Sequence, residues 1–278
     1  MTLRSLLFVP GDRPDRFAKA AACGADALIL DLEDSVAPER KAQARAAVAD
    51  WLAGDRTIPG FVRVNPLDGD QTVADLAAVL PGRPDGLVLP KAEGAASVRA
   101  LLALIGENPP PILPIATETP AAIFQLGSYA ATTTHLAGLT WGAEDLPAAI
   151  GAATSREADG RYTPPYEMAR ALTLFAAHAA HVPAIETVFP RIDAPDALAD
   201  YVARARRDGF TGMMAIHPAQ VATINTGFTP TADELAHARA IVAAFAANPG
   251  AGALQLGGKM IDRPHLKQAQ QIISRGGR

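Results

Sequence analysis

Eight short apolar runs recur along the chain at near-regular intervals, and this spacing limits the fold more than any other feature. They cover residues 3–9, 27–32, 61–65, 86–90, 112–117, 136–141, 184–189 and 213–216. Each is strand-length and bounded by Gly, Pro, Asp or Asn. Most are continuously apolar, as strands buried on both faces are. Ala-rich stretches with helical spacing lie between them, such as 15–23, 41–52, 95–105 and 196–208. The starts of the runs are separated by 24, 34, 25, 26, 24, 48 and 29 residues. Strands alternating with helices at this period predict a parallel sheet with crossover helices. Eight such units in 278 residues predict an α/β fold, a (β/α)8 TIM barrel. A doubly wound open sheet is the other candidate, but it more often carries a Gly-rich fingerprint after its first strand. The GDRPDR that follows the first run here is not one.

The barrel is expected over residues 1–228 and a C-terminal helical extension over 229–278. Within the extension the pattern predicts a helix at 231–247, a Pro/Gly linker at 248–258 and an amphipathic segment at 259–274. The long interval of 48 holds a polar, turn-rich stretch at 154–165. Two readings of it are open: a lid over the barrel mouth, or a plain surface insertion.

Composition removes several function classes. An apolar fraction of 49% is too high for a disordered chain. A net charge of −4 gives no electrostatic footprint for nucleic acid or an anionic membrane. No run of 18 apolar residues is present to span a bilayer. The first residues, MTLRSLLFVPGDRP, lack the apolar core and cleavage site of a secretory signal, so a cytoplasmic location is expected. The single cysteine, Cys23, excludes an internal disulfide framework and a multi-cysteine zinc site, and is expected to be a small buried thiol.

In a barrel of this type the active site lies at the C-terminal ends of the strands. Those ends hold Asp31, Glu33 and Asp34 (LDLED), Arg63 and Asn65 (VRVN), Pro90 and Lys91, Glu118 (ATETP), Glu144 and Asp145 (GAEDL), and His217 and Pro218 (IHPAQ). Carboxylates gathered at one mouth repel one another unless a cation offsets them. An all-oxygen ligand set without a His/Cys cluster points to magnesium, with manganese as the alternative. Glu118 and Asp145, at the tips of adjacent strands, are the candidate metal ligands. The competing reading makes the acids N-caps of the following helices. Arg63 beside them can clamp a substrate carboxylate, or form a structural ion pair with one of the acids. His217 reads as a structural residue before Pro rather than as a base.

The motifs RSLLFVPGDRPDRFAKA, ALILDLEDSVAPERKAQAR, FVRVN, GLVLPKAE, ATETP, WGAEDLPAAIG, RYTPPYEMAR, IHPAQV and GKMIDRPHLKQAQQI occur in this order. Together they resemble the citrate lyase beta-subunit-like branch of the HpcH/HpaI aldolase superfamily, over essentially the whole chain. The resemblance implies a magnesium-dependent lyase or synthase acting on a 2-hydroxyacyl-coenzyme A thioester such as citramalyl-, malyl- or citryl-CoA. The products would be an acyl-CoA and a 2-oxo acid. It implies metal ligation by Glu118 and Asp145, substrate-carboxylate binding by Arg63, and coenzyme A contacts at Phe8, Arg13, Lys19 and the backbone around 216–218. It also implies a homotrimer or hexamer in which Asp262 of the MID motif reaches a neighbouring subunit as acid/base. Gly257 and Gly258 would be the hinge, and Asp34 the second candidate for proton transfer. Three positions depart from the family pattern: Asp34 where the aldolases carry His, Glu186 where Asp is frequent, and Met213 where Lys is common. Two further activities fit the same site: a malyl-CoA-type thioesterase, and a citrate lyase beta subunit acting on an acyl-carrier thioester within a complex.

Overall fold

The computed structural model describes residues 3–276. The chain divides into two compact units, one spanning Leu3–Asn225 and the other beginning at Thr226.

The first unit is an eight-stranded parallel barrel. Its strands are β1 (Ser5–Pro10), β2 (Ala27–Asp31), β3 (Gly60–Arg63), β4 (Gly86–Leu89), β5 (Ile112–Pro114), β6 (Leu139–Thr140), β7 (Ala184–Glu186) and β8 (Gly212–Ala215). They pair in the order β5-β4-β3-β2-β1-β8-β7-β6. Two isolated parallel bridges, Ile112↔Leu136 and Ile115↔Thr140, join the β5 and β6 edges. The helices that alternate with the strands are α1 (Phe17–Ala21), α2 (Lys41–Ala53), α3 (Gln71–Val79), α4 (Ala95–Ile105), α5 (Pro120–Gln125), α6 (Asp145–Ile150), α7 (Pro164–Ala179), α8 (Pro195–Asp208) and α9 (Pro218–Phe228). Proline at the first turn of α5, α7 and α8 presets the helical φ where the missing N–H has no intrahelical partner anyway. Several strands stop short of the apolar runs that encode them. Ala116, Thr117, Trp141 and Thr187 follow strands β5, β6 and β7, where the backbone leaves the ladder to form the mouth.

Side-chain alternation divides each strand between two cores. Leu28 and Leu30 of β2 are fully buried, while Ala27 and Ile29 join Leu6, Phe61, Val88, Leu113, Ile115, Ile185 and Met214 in one cluster inside the barrel. The inward series of β2 runs Ala27, Ile29, Asp31, and that of β3 runs Phe61, Arg63. Apolar at the bottom and ionic at the top, this pleat aims charge at the mouth without any break in the strand pattern.

The second unit holds α10 (Ala232–Ala247), β9 (Ala253–Leu256), β10 (Lys259–Asp262) and α11 (Arg263–Gly276). A capping box starts α10: the Thr231 side chain accepts from the Glu234 N–H, and the Glu234 carboxylate accepts from the Thr231 N–H. The expected amphipathic segment at 259–274 is helix from Arg263 onward, but its first four residues and Ala253–Leu256 of the expected Pro/Gly linker at 248–258 form strands instead. Ala253–Leu256 and Lys259–Asp262 pair as an antiparallel hairpin, and helix begins only at Arg263. Gly257 and Gly258 are the two-residue turn, with φ of 56° and 79°. Two consecutive positive φ values match the twist of a tight hairpin, so the pair forms its two-residue turn. Leu254, Leu256 and Ile261 pack with Ile241, Phe245 and Ala269 in a core belonging to this unit. Cys23 is half-buried at the end of α1, not in the core as expected.

Candidate active site at the barrel mouth

A cleft of about 720 Å³ opens at the C-terminal ends of the strands. Phe8, Asp31, Asp34, Arg63, Glu118 and Asp145 line it, with Arg16 and Lys19 among the residues of its wall. Arg13 does not: it pairs with Asp15 on the exposed surface, at 2.8 Å. His217 also lines the cleft, and its Nδ1 accepts from the Ala219 N–H at 3.2 Å at the start of α9. None of residues 154–165 does. Tyr162, 4% exposed, packs edge-on against Trp141 at 5.0 Å. The Arg156 guanidinium lies 4.0 Å above the Tyr162 ring. Tyr162 anchors the segment while 157–161 stay exposed, and none of it lines the cleft, which supports the insertion reading over the lid.

Asp31 anchors the network. Arg63 Nε and Nη2 donate to its two oxygens at 2.6 and 2.7 Å. The N–H groups of Glu33 and Ser35 donate to the same carboxylate at 2.9 and 3.1 Å. Burial pushes the Asp31 carboxyl up, but these donors outweigh it and hold the group below the ordinary carboxylate range. The ion pair foreseen as an alternative for Arg63 is thus formed. It occupies the Nε/Nη2 edge of the guanidinium. Nη1 lies 2.9 Å from Glu33 Oε2, but off the hydrogen-bonding axis, so that buried oxygen has no hydrogen-bond donor.

Asn65 faces away from the cleft. Its Nδ2 donates to the fully buried Asp75 at 2.7 Å and to the Leu32 carbonyl at 2.9 Å. Lys41 Nζ donates to Asn65 Oδ1 and to the carbonyls of Leu32 and Glu33, each within 2.8 Å. This layer behind β2 and β3 fixes the turn that carries Glu33.

Glu118 and Asp145 stand on the chain segments that leave the adjacent strands β5 and β6. Glu118 is 4% exposed, and its Oε2 accepts from the Lys91 N–H at 2.5 Å. Burial, with the Asp145 and Glu33 charges added, pushes the Glu118 carboxyl up to about 8. Asp145 is the first residue of α6, while Glu144 is its N-cap and makes no side-chain cap bond. Capping therefore does not account for either acid. Gly142 is required between them: a Cβ there would meet Glu118 Cγ at 2.7 Å. Among the described residues no group of three or more His, Cys, Asp or Glu is arranged to hold a metal. The donor set is two carboxylates, which suits magnesium, an ion that takes few protein ligands and fills its other positions with water and substrate. A buried acid raised by neighbouring acids is the environment a cation relieves.

Two features escaped the sequence reading. Lys91 was visible only as a polar strand-end residue, and its role depends on a left-handed backbone with φ of 49°. Of Arg13 and Arg16, at the two ends of the short 3-10 turn Pro14–Arg16, it is Arg16 that lines the cleft, while Arg13 is held by Asp15.

A second charge network lies behind β7. Glu186 is fully buried and accepts from Trp141 Nε1 at 2.5 Å, Tyr201 OH at 3.0 Å, Arg170 Nε at 2.7 Å and the Thr187 N–H at 3.0 Å. Arg170 continues to Asp208 at 2.7 Å. Glu186 and Met213, two of the departures from the family pattern, are register partners in adjacent strands. Where a lysine is common the chain has a neutral side chain, and Arg170 of α7 supplies the counter-charge.

Asp262 ends β10 in the second unit, 2.5 Å from His265 Nδ1, which holds its carboxyl below the usual range.

A family model described as HpcH/HpaI aldolase/citrate lyase matches residues 4–218, and one described as a C–C bond lyase of the TIM-barrel fold matches 168–277. A citrate lyase subunit beta-like protein of Mycobacterium tuberculosis is 37% identical over 98% of this chain and 94% of its own length. An L-malyl-CoA/beta-methylmalyl-CoA lyase of Cereibacter sphaeroides is 32% identical over 97% of this chain and 93% of its own length. The crystal structure of CitE from Mycobacterium tuberculosis with magnesium, acetoacetate and coenzyme A superposes with a TM-score of 0.84 at 34% identity. It covers 100% of this chain and 99% of that one.

Proposed function

The chain belongs to the HpcH/HpaI aldolase/citrate lyase family, and from that premise we propose that it is a magnesium-dependent lyase, or synthase in reverse, for a 2-hydroxyacyl-coenzyme A thioester. One observation carries the reading. Glu118 and Asp145 are two carboxylates with no matching guanidinium, at the tips of adjacent strands in the cleft, and Glu118 is pushed up to about 8. The magnesium and coenzyme A bound by the CitE relative support it.

Bound magnesium would supply a Lewis acid and a template for the hydroxyl and adjacent carboxylate of the substrate, and Glu118 and Asp145 would hold it. The Arg63 guanidinium, which lines the cleft, pairs with the substrate carboxylate and fixes its orientation, which lowers the entropic part of the barrier. The hydroxyl gives up its proton and its carbon becomes a carbonyl as the C–C bond breaks. The electron pair of that bond passes to the carbon next to the thioester, which takes a proton. The Asp262 carboxylate of a second copy of the chain takes the hydroxyl proton and returns it to that carbon, with Asp34 on the cleft wall as the second candidate for this transfer. Lys19, joined by Arg16, meets the phosphates of coenzyme A, and Phe8 flanks the thioester arm.

The test is product analysis by mass spectrometry on malyl-, citramalyl- and citryl-CoA, with EDTA and then with magnesium restored. The expected result is a 2-oxo acid and an acyl-CoA, lost in EDTA and recovered with magnesium. Free hydroxy acid and free thiol would make the protein a thioesterase instead, and full activity in EDTA would remove the metal from the reading.

A further inference from the structure

Lys91 reaches three carboxylates of the mouth from one position. Its N–H donates to Glu118 Oε2 at 2.5 Å. Its Nζ donates to Glu33 Oε1 at 2.6 Å and lies 3.6 Å from Asp145 Oδ1. The conformation that allows both contacts is left-handed, with φ of 49°. Such a backbone costs a side-chain-bearing residue roughly 1–2 kcal/mol, and it is retained directly beside the site.

The charges then sort themselves. Asp31 is matched by Arg63 and Glu33 by Lys91, both at hydrogen-bonding distance. Glu118, buried, and Asp145, half-buried, have no side-chain cation at hydrogen-bonding distance, while Asp34 and Glu144 on the same cleft are exposed to solvent; that leaves two adjacent carboxylates for one divalent cation. Without the ammonium, Glu33 would keep only the Arg63 ion pair at 2.9 Å, on a guanidinium already engaged by Asp31. Its Oε2 already lacks a donor.

We infer that Lys91 is a positioning residue for the proposed reaction: by occupying Glu33 it reserves Glu118 and Asp145 for one divalent cation, and its amide aims Glu118 at that cation. This rests on the magnesium reading above. Lys91 shares Asp145 with the cation, so its positive charge weakens binding while it fixes the ligand set. Removing the charge therefore tightens cation binding and harms turnover, whereas loss of a purely structural contact would loosen the site.

The test titrates manganese(II) alone into the full-length protein without substrate, following free ion by electron paramagnetic resonance. Lys91→Met should lower the Kd by about tenfold, since a nearby like charge has been removed. Lys91→Gly, which keeps the left-handed backbone, should do the same. Lys91→Arg should stay near the wild-type Kd. In Lys91→Met kcat should fall far more than KM changes. A Kd that is unchanged or weaker in both Lys91→Met and Lys91→Gly, with cooperative thermal melting retained, overturns the inference. So does Lys91→Arg tightening binding as much as Lys91→Met. A wild type that binds no manganese overturns the magnesium reading itself, a result distinct from either.

Discussion

The mouth network around Glu118 and the buried network around Glu186 are built from the same residue types on one barrel. They differ in whether their charges close on themselves. Glu186 accepts from an arginine, a tyrosine, an indole and a backbone amide, and Arg170 passes the chain of contacts to Asp208. Arg204 ties Glu167 to the outer end at 2.5 Å. No residue of that network except the backbone neighbour Thr187 lines the cleft. At the mouth, Asp31 and Glu33 are paired with cations at hydrogen-bonding distance, whereas Glu118 has only the Lys91 amide and Asp145 an ammonium 3.6 Å away, both beside open space. The comparison teaches that burial and charge do not by themselves mark a reaction site; the unmatched remainder facing a cavity does.

Three measurements would break or sharpen that contrast. The largest effect should come from Glu118→Gln or Asp145→Asn, which remove the unmatched charge. Magnesium-dependent turnover should fall a thousandfold or more, roughly 4 kcal/mol of barrier, while thermal stability holds or rises. A variant retaining substantial magnesium-dependent turnover would erase the distinction between the networks. Next, Glu186→Ala should destabilise the fold by about 3 kcal/mol in urea unfolding, because it leaves Arg170 buried with half its partners gone. A loss of activity without loss of stability would move this network into the chemistry. The smallest effect is on pH dependence. With a folded value near 8 against an ordinary 4.5, Glu118 binds a proton in the native state that the unfolded chain has released. The metal-free protein should therefore lose stability as pH rises from about 4.5 to 8, by up to about 2 kcal/mol between pH 6 and 7.5. Saturating magnesium should flatten the slope, and denaturant melts at several pH values would read it.

The barrel was legible because parallel strands buried on both faces leave continuous apolar runs, and residues such as Asp31, Arg63 and Glu118 sit where each run turns ionic. The hairpin at Ala253–Asp262 was not, because Leu254, Leu256 and Ile261 are too few to set a period and the Gly pair reads equally as linker or turn. The cleft contacts of Lys91 and Arg16 were out of reach for a different reason. One sits on a left-handed φ and the other ends a single turn of 3-10 helix, local geometry that residue type alone does not dictate. The Glu186↔Met213 pairing needed strand register, although both positions stood out as departures.

The barrel closes between β5 and β6 through isolated bridges rather than a continuous ladder. Glu118 and Asp145 stand just beyond that closure, one on each side. An ion gripped by both would act as a rivet across the weakest joint of the cylinder. Amides along 112–116 and 136–140 should then open together when it leaves, so that loading the ion and tightening the wall become a single event.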